Sequence, residues 1–223
     1  CLDVAADRGW RPRREILDRT ERIVGFLERA DRFDGVFPHF LDGTTGRVLP
    51  FMAGDDGGDL VETSFLMLGL LAAAAYFAEQ TALSARIAAL FDAVNWATHV
   101  REDGAVMWHR HPERPWPAGA LPIRGWNEGL LVLILGAGSR MHPIPAASYH
   151  GSWATAPAFR NGRRYGDPVL PLGPDWGGPL FLSQDPFLGV DPRGLRDRYA
   201  DYGAQSRAHA LVNRHHCLAN PHG

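Results

Sequence analysis

Along this chain, apolar residues recur at helical spacing and are separated by long polar, turn-rich stretches. In the segment 13–31, Ile16, Ile23, Phe26 and Leu27 fall three and four residues apart while charged residues fill the other positions, which predicts an amphipathic helix. A second helix is predicted from about Leu60 to Gln80; it is apolar nearly all round, as a helix buried on most sides should be. A third, from about Leu83 to Val100, carries Ile87, Leu90, Phe91 and Val94 on one stripe, and a fourth starts near Trp126 and runs through Leu135. A last helix spans about Pro192 to Leu218, with Leu195, Tyr199, Tyr202, His209 and Val212 as inward positions.

Between the helices the pattern changes. The segment from Phe37 to Gly46 holds Asp42-Gly43 and Thr45-Gly46, the chemistry of tight turns, and reads as a loop or short hairpin. From Arg140 to Gly178 the chain is dense in Pro, Gly and aromatic residues, which favours long ordered loops. No stretch shows the repeated period-2 alternation of strands joined by hairpins, and no βαβ rhythm appears. The expectation is an all-α, α/α architecture whose loops gather at one end.

Composition narrows the function. The chain has 223 residues, 45% hydrophobic and 22% charged, enough apolar material for one substantial core. A net charge of −2 offers no electrostatic draw to nucleic acid or to an anionic membrane, so small neutral partners are favoured. Every basic residue apart from histidine is Arg, which is read as genome bias. Cys1 and Cys217 are too few for a disulfide framework and too far apart for a metal motif. The longest apolar run, Leu66 to Phe77, is too short to span a bilayer, and no signal peptide is seen. The chain begins on Cys and ends on Asn-Pro-His-Gly, so a fragment is expected; a leading Cys also fits the lipid-anchored first residue of a processed lipoprotein.

Two stretches concentrate carboxylates at helix starts. Asp55-Asp56-Gly57-Gly58-Asp59-Leu60-Val61-Glu62 sets four acids at the mouth of the apolar helix, where like charges raise one another's pKa and permit acid/base chemistry. The plainer reading is a capping box, Asp59-x-x-Glu62, stabilised by the helix dipole. Gly125-Trp126-Asn127-Glu128 opens the fourth helix with an acid beside an aromatic ring; lost hydration would raise its pKa into the range of a general acid. Its plainer reading is again a first-turn acid on a dipole. Trp108, Trp116, Trp126, Tyr149, Trp153, Tyr165 and Trp176 fall in loop sequence, where flat aromatic faces suit sugar rings. His109, His111, His215 and His216 lack a convincing third ligand nearby, so no metal is expected. Ser64 and Ser183 have no nucleophile-elbow context, and Gly57-Gly58 is no phosphate loop.

Taken together, these residues resemble the glycoamylase-like domain family, which includes glycoside hydrolase family 144. The resemblance is carried by Phe37-Pro38-His39-Phe40, by Asp55 through Leu66, by Gly125-Trp126-Asn127-Glu128, and by three segments around Asn161–Gly166, Leu170–Phe181 and Phe187–Leu195. It implies an (α/α)6 barrel of which residues 1–223 are the N-terminal half, and cleavage of a β-linked glucan, β-1,2-glucan above all, with inversion. It assigns catalysis to Glu128, Asp55, Asp59 and Glu62, and substrate contacts to His39, Trp108, His109, Trp126, Asn127, Tyr149, Asp191 and Arg193. A periplasmic or extracellular monomer without cofactor is implied, acting on an oligo- or polysaccharide. Transglycosylation and non-catalytic glycan binding are the alternatives. Members often carry Trp where this chain has Phe40, His-Tyr at Gln184-Asp185, and an aromatic-rich run at Asn95-Trp96-Ala97-Thr98, so substrate contacts are expected to differ.

Overall fold

The structure is a computed structural model and describes residues 1–52, 54–114 and 120–219. It divides into two compact units, one formed by Cys1–His99, Met107–Leu121 and Gly138–Pro143, the other by Val100–Val106, Pro122–Ala137 and Ile144–Gly223. The expected helical class holds, although short strands accompany the helices in both units.

In the first unit, α1 (Leu2–Asp7), α2 (Arg13–Leu27), α3 (Leu60–Tyr76) and α4 (Thr81–Asp92) pack on one another. Helix α2 buries Ile16, Thr20, Val24 and Leu27, a stripe one step round from the expected one, leaving Ile23 and Phe26 half-buried. It stops at Leu27 because the next amides turn elsewhere; Asp31 N–H donates to Gly46 O at 2.8 Å. Helix α4 ends well before Val100 for a similar reason, with Asn95 N–H donating to Asp34 O at 3.0 Å. Helix α3 buries Leu60, Val61, Met67 and Leu68 but leaves Gly69, Ala72 and Ala75 at the surface, so it is not enclosed on most sides within this unit.

Two small antiparallel sheets complete this unit. Strands β1 (Phe40–Leu41) and β2 (Val48–Leu49) form the hairpin anticipated around Asp42, whose carboxylate accepts from the N–H groups of Thr44 and Thr45. Strands β3 (Gly58–Asp59) and β4 (His109–Arg110) pair across fifty residues, with Asp59 opposite His109. A Cβ on Gly57 would lie 2.4 Å from Arg110 O, and one on Gly58 would lie 2.9 Å from Val36 Cβ, so this approach requires glycine at both positions.

In the second unit, α5 (Leu130–Ala137) buries its first four residues, and a short α6 (Ala146–Ser148) runs into a π-helical turn, Tyr149–Trp153. Strands β5 (Arg160–Arg164) and β6 (Val169–Leu172) make a bulged hairpin. The β5–β6 hairpin falls in the stretch expected to be loop, because the polar β5 is too hydrophilic to show alternation. Helix α7 (Tyr202–Ala219) packs Ala208 and Val212 against Leu170 and Tyr165. It starts ten residues later than expected because Asp197 accepts from the amides of Tyr199 and Ala200 in a turn, and Tyr202 N–H bonds back to Leu195 O.

Candidate functional site

The first unit gathers six of the expected residues, His39, Asp55, Asp59, Glu62, Trp108 and His109, about the start of α3. Asp59 is fully buried, and its two carboxylate oxygens have different tasks. Oδ1 accepts from the N–H groups of Val61 and Glu62, both at 3.0 Å, capping the helix. Oδ2 accepts from His39 Nδ1 at 2.9 Å and from His109 Nε2 at 2.8 Å. An ionised carboxylate only accepts, so both ring nitrogens must carry the donated protons. His109 is delivered by its register opposite Asp59, and His39 by the segment Phe37–Phe40, whose Phe37 N–H is held by Thr63 Oγ1 at 2.9 Å.

This pairing sets the charges. Burial pushes the Asp59 carboxyl up, but the hydrogen bond and charge of His109 outweigh it and hold the pKa below its ordinary value. Burial likewise pulls His109 down, and the bond to Asp59 more than reverses it, so its pKa is raised. Asp55 is a different case: its side chain is 9% exposed, neither oxygen has a hydrogen-bond partner, and Oδ2 stands 3.4 Å from His109 Nε2. Burial raises its pKa. Glu62 is exposed on the first turn of α3, Asp56 pairs with Arg114, and Trp108 stacks beside His109.

Sequence reasoning passes over one feature of this rim. Phe51 stacks on the His39 ring at 4.3 Å between centroids and Phe40 meets it edge-on at 4.6 Å, while both phenyl rings are about half exposed, at 48% and 49%. Phe40 follows His39 directly in sequence, whereas Phe51 lies twelve residues further on and is brought to His39 only by the fold.

The second unit holds Glu128 in the turn ahead of α5. Gly125, with φ of +78°, takes a conformation that favours glycine. Asn127 locks the turn, donating to Arg124 O at 3.1 Å and accepting from Gly129 N–H at 2.9 Å. Glu128 is half-buried, its Oε2 is shielded from solvent without a hydrogen-bond partner, and burial, with the charge of Asp185 adding to it, raises its pKa.

Several expected contacts take other parts. Trp126 is 3% exposed and packs between Trp153 and Tyr202, with its Nε1–H donating to Ser183 Oγ at 2.8 Å; it is a core residue, correcting its assignment as a sugar platform. Ser183 also accepts from Gln205 Nε2 at 3.2 Å. It bonds His209 Nδ1 at 2.8 Å, and the other ring nitrogen of His209 bonds Gly178 O at 3.0 Å. Trp153 is wholly buried and Tyr165 nearly so; Trp176 is exposed, and Trp116 lies outside the described residues. The Tyr149 hydroxyl is taken up by Asp197 and Tyr202, with burial raising its pKa. Asp191 and Arg193 form an exposed bidentate pair with each other, holding the Asp191 carboxyl down at about 2. Their being paired on the surface leaves the expected substrate contact without support from the geometry.

Comparison with known proteins follows the same line. Residues 120–223 match the family model named Glycoamylase. An exo β-1,2-glucooligosaccharide sophorohydrolase (non-reducing end) from Parabacteroides distasonis is 32% identical over 97% of this chain, which covers 33% of that protein. The structure of an endo-β-1,2-glucanase from Chitinophaga pinensis in complex with sophorotriose and glucose is 43% identical, with a TM-score of 0.93, over 99% of this chain and 54% of that one. A β-1,2-glucanase structure from Parabacteroides distasonis is 32% identical with a TM-score of 0.93, over all of this chain and 35% of the other. The chain therefore spans between a third and just over half the length of these relatives.

Proposed function

We propose that this chain belongs to the glucoamylase-like family and is part of a glycoside hydrolase cleaving β-1,2-glucan, in which Glu128 is the general acid. The carrying observation is the Glu128 carboxyl: half-buried, one oxygen unpartnered, pKa raised by desolvation. A carboxyl whose pKa is raised keeps its proton to higher pH and can give it to a leaving glycosidic oxygen. Within the first unit, Asp55 is a candidate sugar contact on its own account: its carboxylate is largely buried and accepts no hydrogen bond, and sugar hydroxyls are donors that could supply one.

In this reading Asp55 and Glu62 bind sugar hydroxyls, while Asp59, buried and with both oxygens engaged, fixes His39 and His109 as further contacts instead of meeting sugar itself. The carboxylate that activates water in an inverting reaction comes from outside these 223 residues, within a complete (α/α)6 barrel of which they form the first half. The protein acts as a monomer in the periplasm or outside the cell. No helix among the described residues is long and apolar enough to cross a membrane.

The test is Glu128→Gln in the protein at its full natural length, assayed on linear β-1,2-glucan with product sizing. We expect kcat to fall by roughly 10²–10⁴-fold with substrate binding retained. Near-normal cleavage by the variant overturns the acid assignment; chains that redistribute instead of shortening assign transglycosylation, and binding without new reducing ends assigns a glycan-binding relative.

A further inference from the structure

We propose that His39 Nδ1, His109 Nε2, Asp59 Oδ2 and Asp55 Oδ2 form a binding site for a zinc-class divalent cation. Three of these atoms, one each from His39, Asp59 and His109, lie within 4.8 Å of one another. The independent observation is Asp55. Its side chain is nine-tenths buried, neither oxygen accepts a hydrogen bond, and Oδ2 is ion-paired at 3.4 Å with the same Nε2 that bonds Asp59. Two buried carboxylates sharing one imidazole leave negative charge that a cation would neutralise.

The spacing suits the ion. Zinc bonds to nitrogen and oxygen ligands at about 2.0–2.2 Å, so neighbouring ligands of a tetrahedral site lie roughly 3.4 Å apart. The edge from His109 to Asp55 is already 3.4 Å, and those from Asp59 to His39 and His109, at 2.9 and 2.8 Å, need to open by roughly half an ångström. Two imidazoles favour a zinc-class ion over magnesium or calcium, which take oxygen ligands. The second oxygen of Asp59 is pinned by the amides of Val61 and Glu62, and His109 is fixed by strand pairing, so two ligands are oriented before any ion arrives.

Proton balance follows from the ligand set. The two ring nitrogens that donate to Asp59 must give up those protons and turn their lone pairs to the metal, while two carboxylates and a divalent cation leave the cluster neutral. Protons are released to solvent. No step depends on the hydrolase reading, and Asp55 Oδ1, which is not among the ligand atoms, can still accept from a sugar hydroxyl.

The experiment strips the full-length protein with a chelator, equilibrates it with micromolar zinc chloride at neutral pH, removes free metal by gel filtration, and measures retained zinc by mass spectrometry. One equivalent is expected in the wild type and in the surface control Glu28→Gln. Loss of that equivalent is expected in a His39→Ala/His109→Ala double variant, and weakening by at least about tenfold in Asp55→Asn, which preserves shape if the double variant fails to fold. No retained zinc in the wild type, or an equivalent that survives in Asp55→Asn with unchanged affinity, overturns the site. The readout is metal content, so a protein that binds zinc but cleaves no β-glucan sinks the hydrolase reading and leaves this one standing.

Discussion

Asp59 and Glu128 each stand at the entrance to a short run of apolar helix, and their surroundings treat a carboxylate in opposite ways. Asp59 is completely buried yet fully partnered, by two amides and two imidazoles, and its pKa is lowered. Glu128 is only half-buried, yet one oxygen has no partner and its pKa is raised. Burial alone therefore does not decide whether an acid stays charged; the count of donors aimed at it does. The donors around Asp59 favour its charged form, and burial of Glu128 shifts its balance toward the protonated form.

The contrast breaks most visibly in stability. Asp59→Ala removes a helix cap and leaves two imidazoles without their acceptor, so we expect urea denaturation to show a loss of about 3 kcal/mol. Glu128→Gln, the variant expected to slow turnover, should change stability by no more than about 0.5 kcal/mol, because a partly buried, poorly partnered carboxyl is replaced by a neutral amide. A comparable loss in both would erase the distinction.

Next in size is Trp126→Phe. It removes the indole N–H that reaches Ser183 and part of a packed ring, and should cost about 2 kcal/mol by thermal unfolding. Were Trp126 a sugar platform, the variant would weaken substrate binding with stability intact.

The two acids also predict opposite pH responses. The lowered pKa of Asp59 contributes stability present above its unfolded value near 3.8 and lost as pH falls through the lower folded pKa. The raised pKa of His109 contributes stability that is full below about 6.5 and lost as pH rises through the folded pKa. Their joint optimum lies between those two values, and His109→Ala should flatten its alkaline side. Glu128 opposes folding once ionised, so its share falls as pH rises from its unfolded value to the folded one, and Glu128→Gln should remove that decline. The smallest effect belongs to Arg193→Ala, where a fully exposed pair is lost and stability should stay within about 0.5 kcal/mol in calorimetry.

Much of this was legible from residue order, and the remainder fails for identifiable reasons. The helices appear because their apolar positions repeat locally, and the N-cap at Asp59 is written in the residues that open α3, although the Asp59 N–H goes to Phe37 O and not to the Glu62 side chain a full capping box would use. Their ends do not, since α2 and α4 stop where an amide finds a partner far along the chain. Glu128 can be singled out from the aromatic and apolar company around it, but its unpartnered oxygen cannot. The metal possibility is hidden for the same reason: His109 lacks ligands among its sequence neighbours and finds them in Asp59 and His39, fifty and seventy residues away. Trp126 and Trp153 look like loop aromatics because loops are read as surface, whereas these loops fold inward and supply core.

The pairing of β3 with β4 also bears on how the molecule comes together. Helix α3 can coil from contacts within a few residues, but Asp59 meets His109 only after a stretch of fifty intervening positions has closed, at an entropic expense that local structure does not repay. The rim of carboxylates and imidazoles is therefore a late arrival on the folding pathway. A nascent chain would carry its helices before it carried its chemistry.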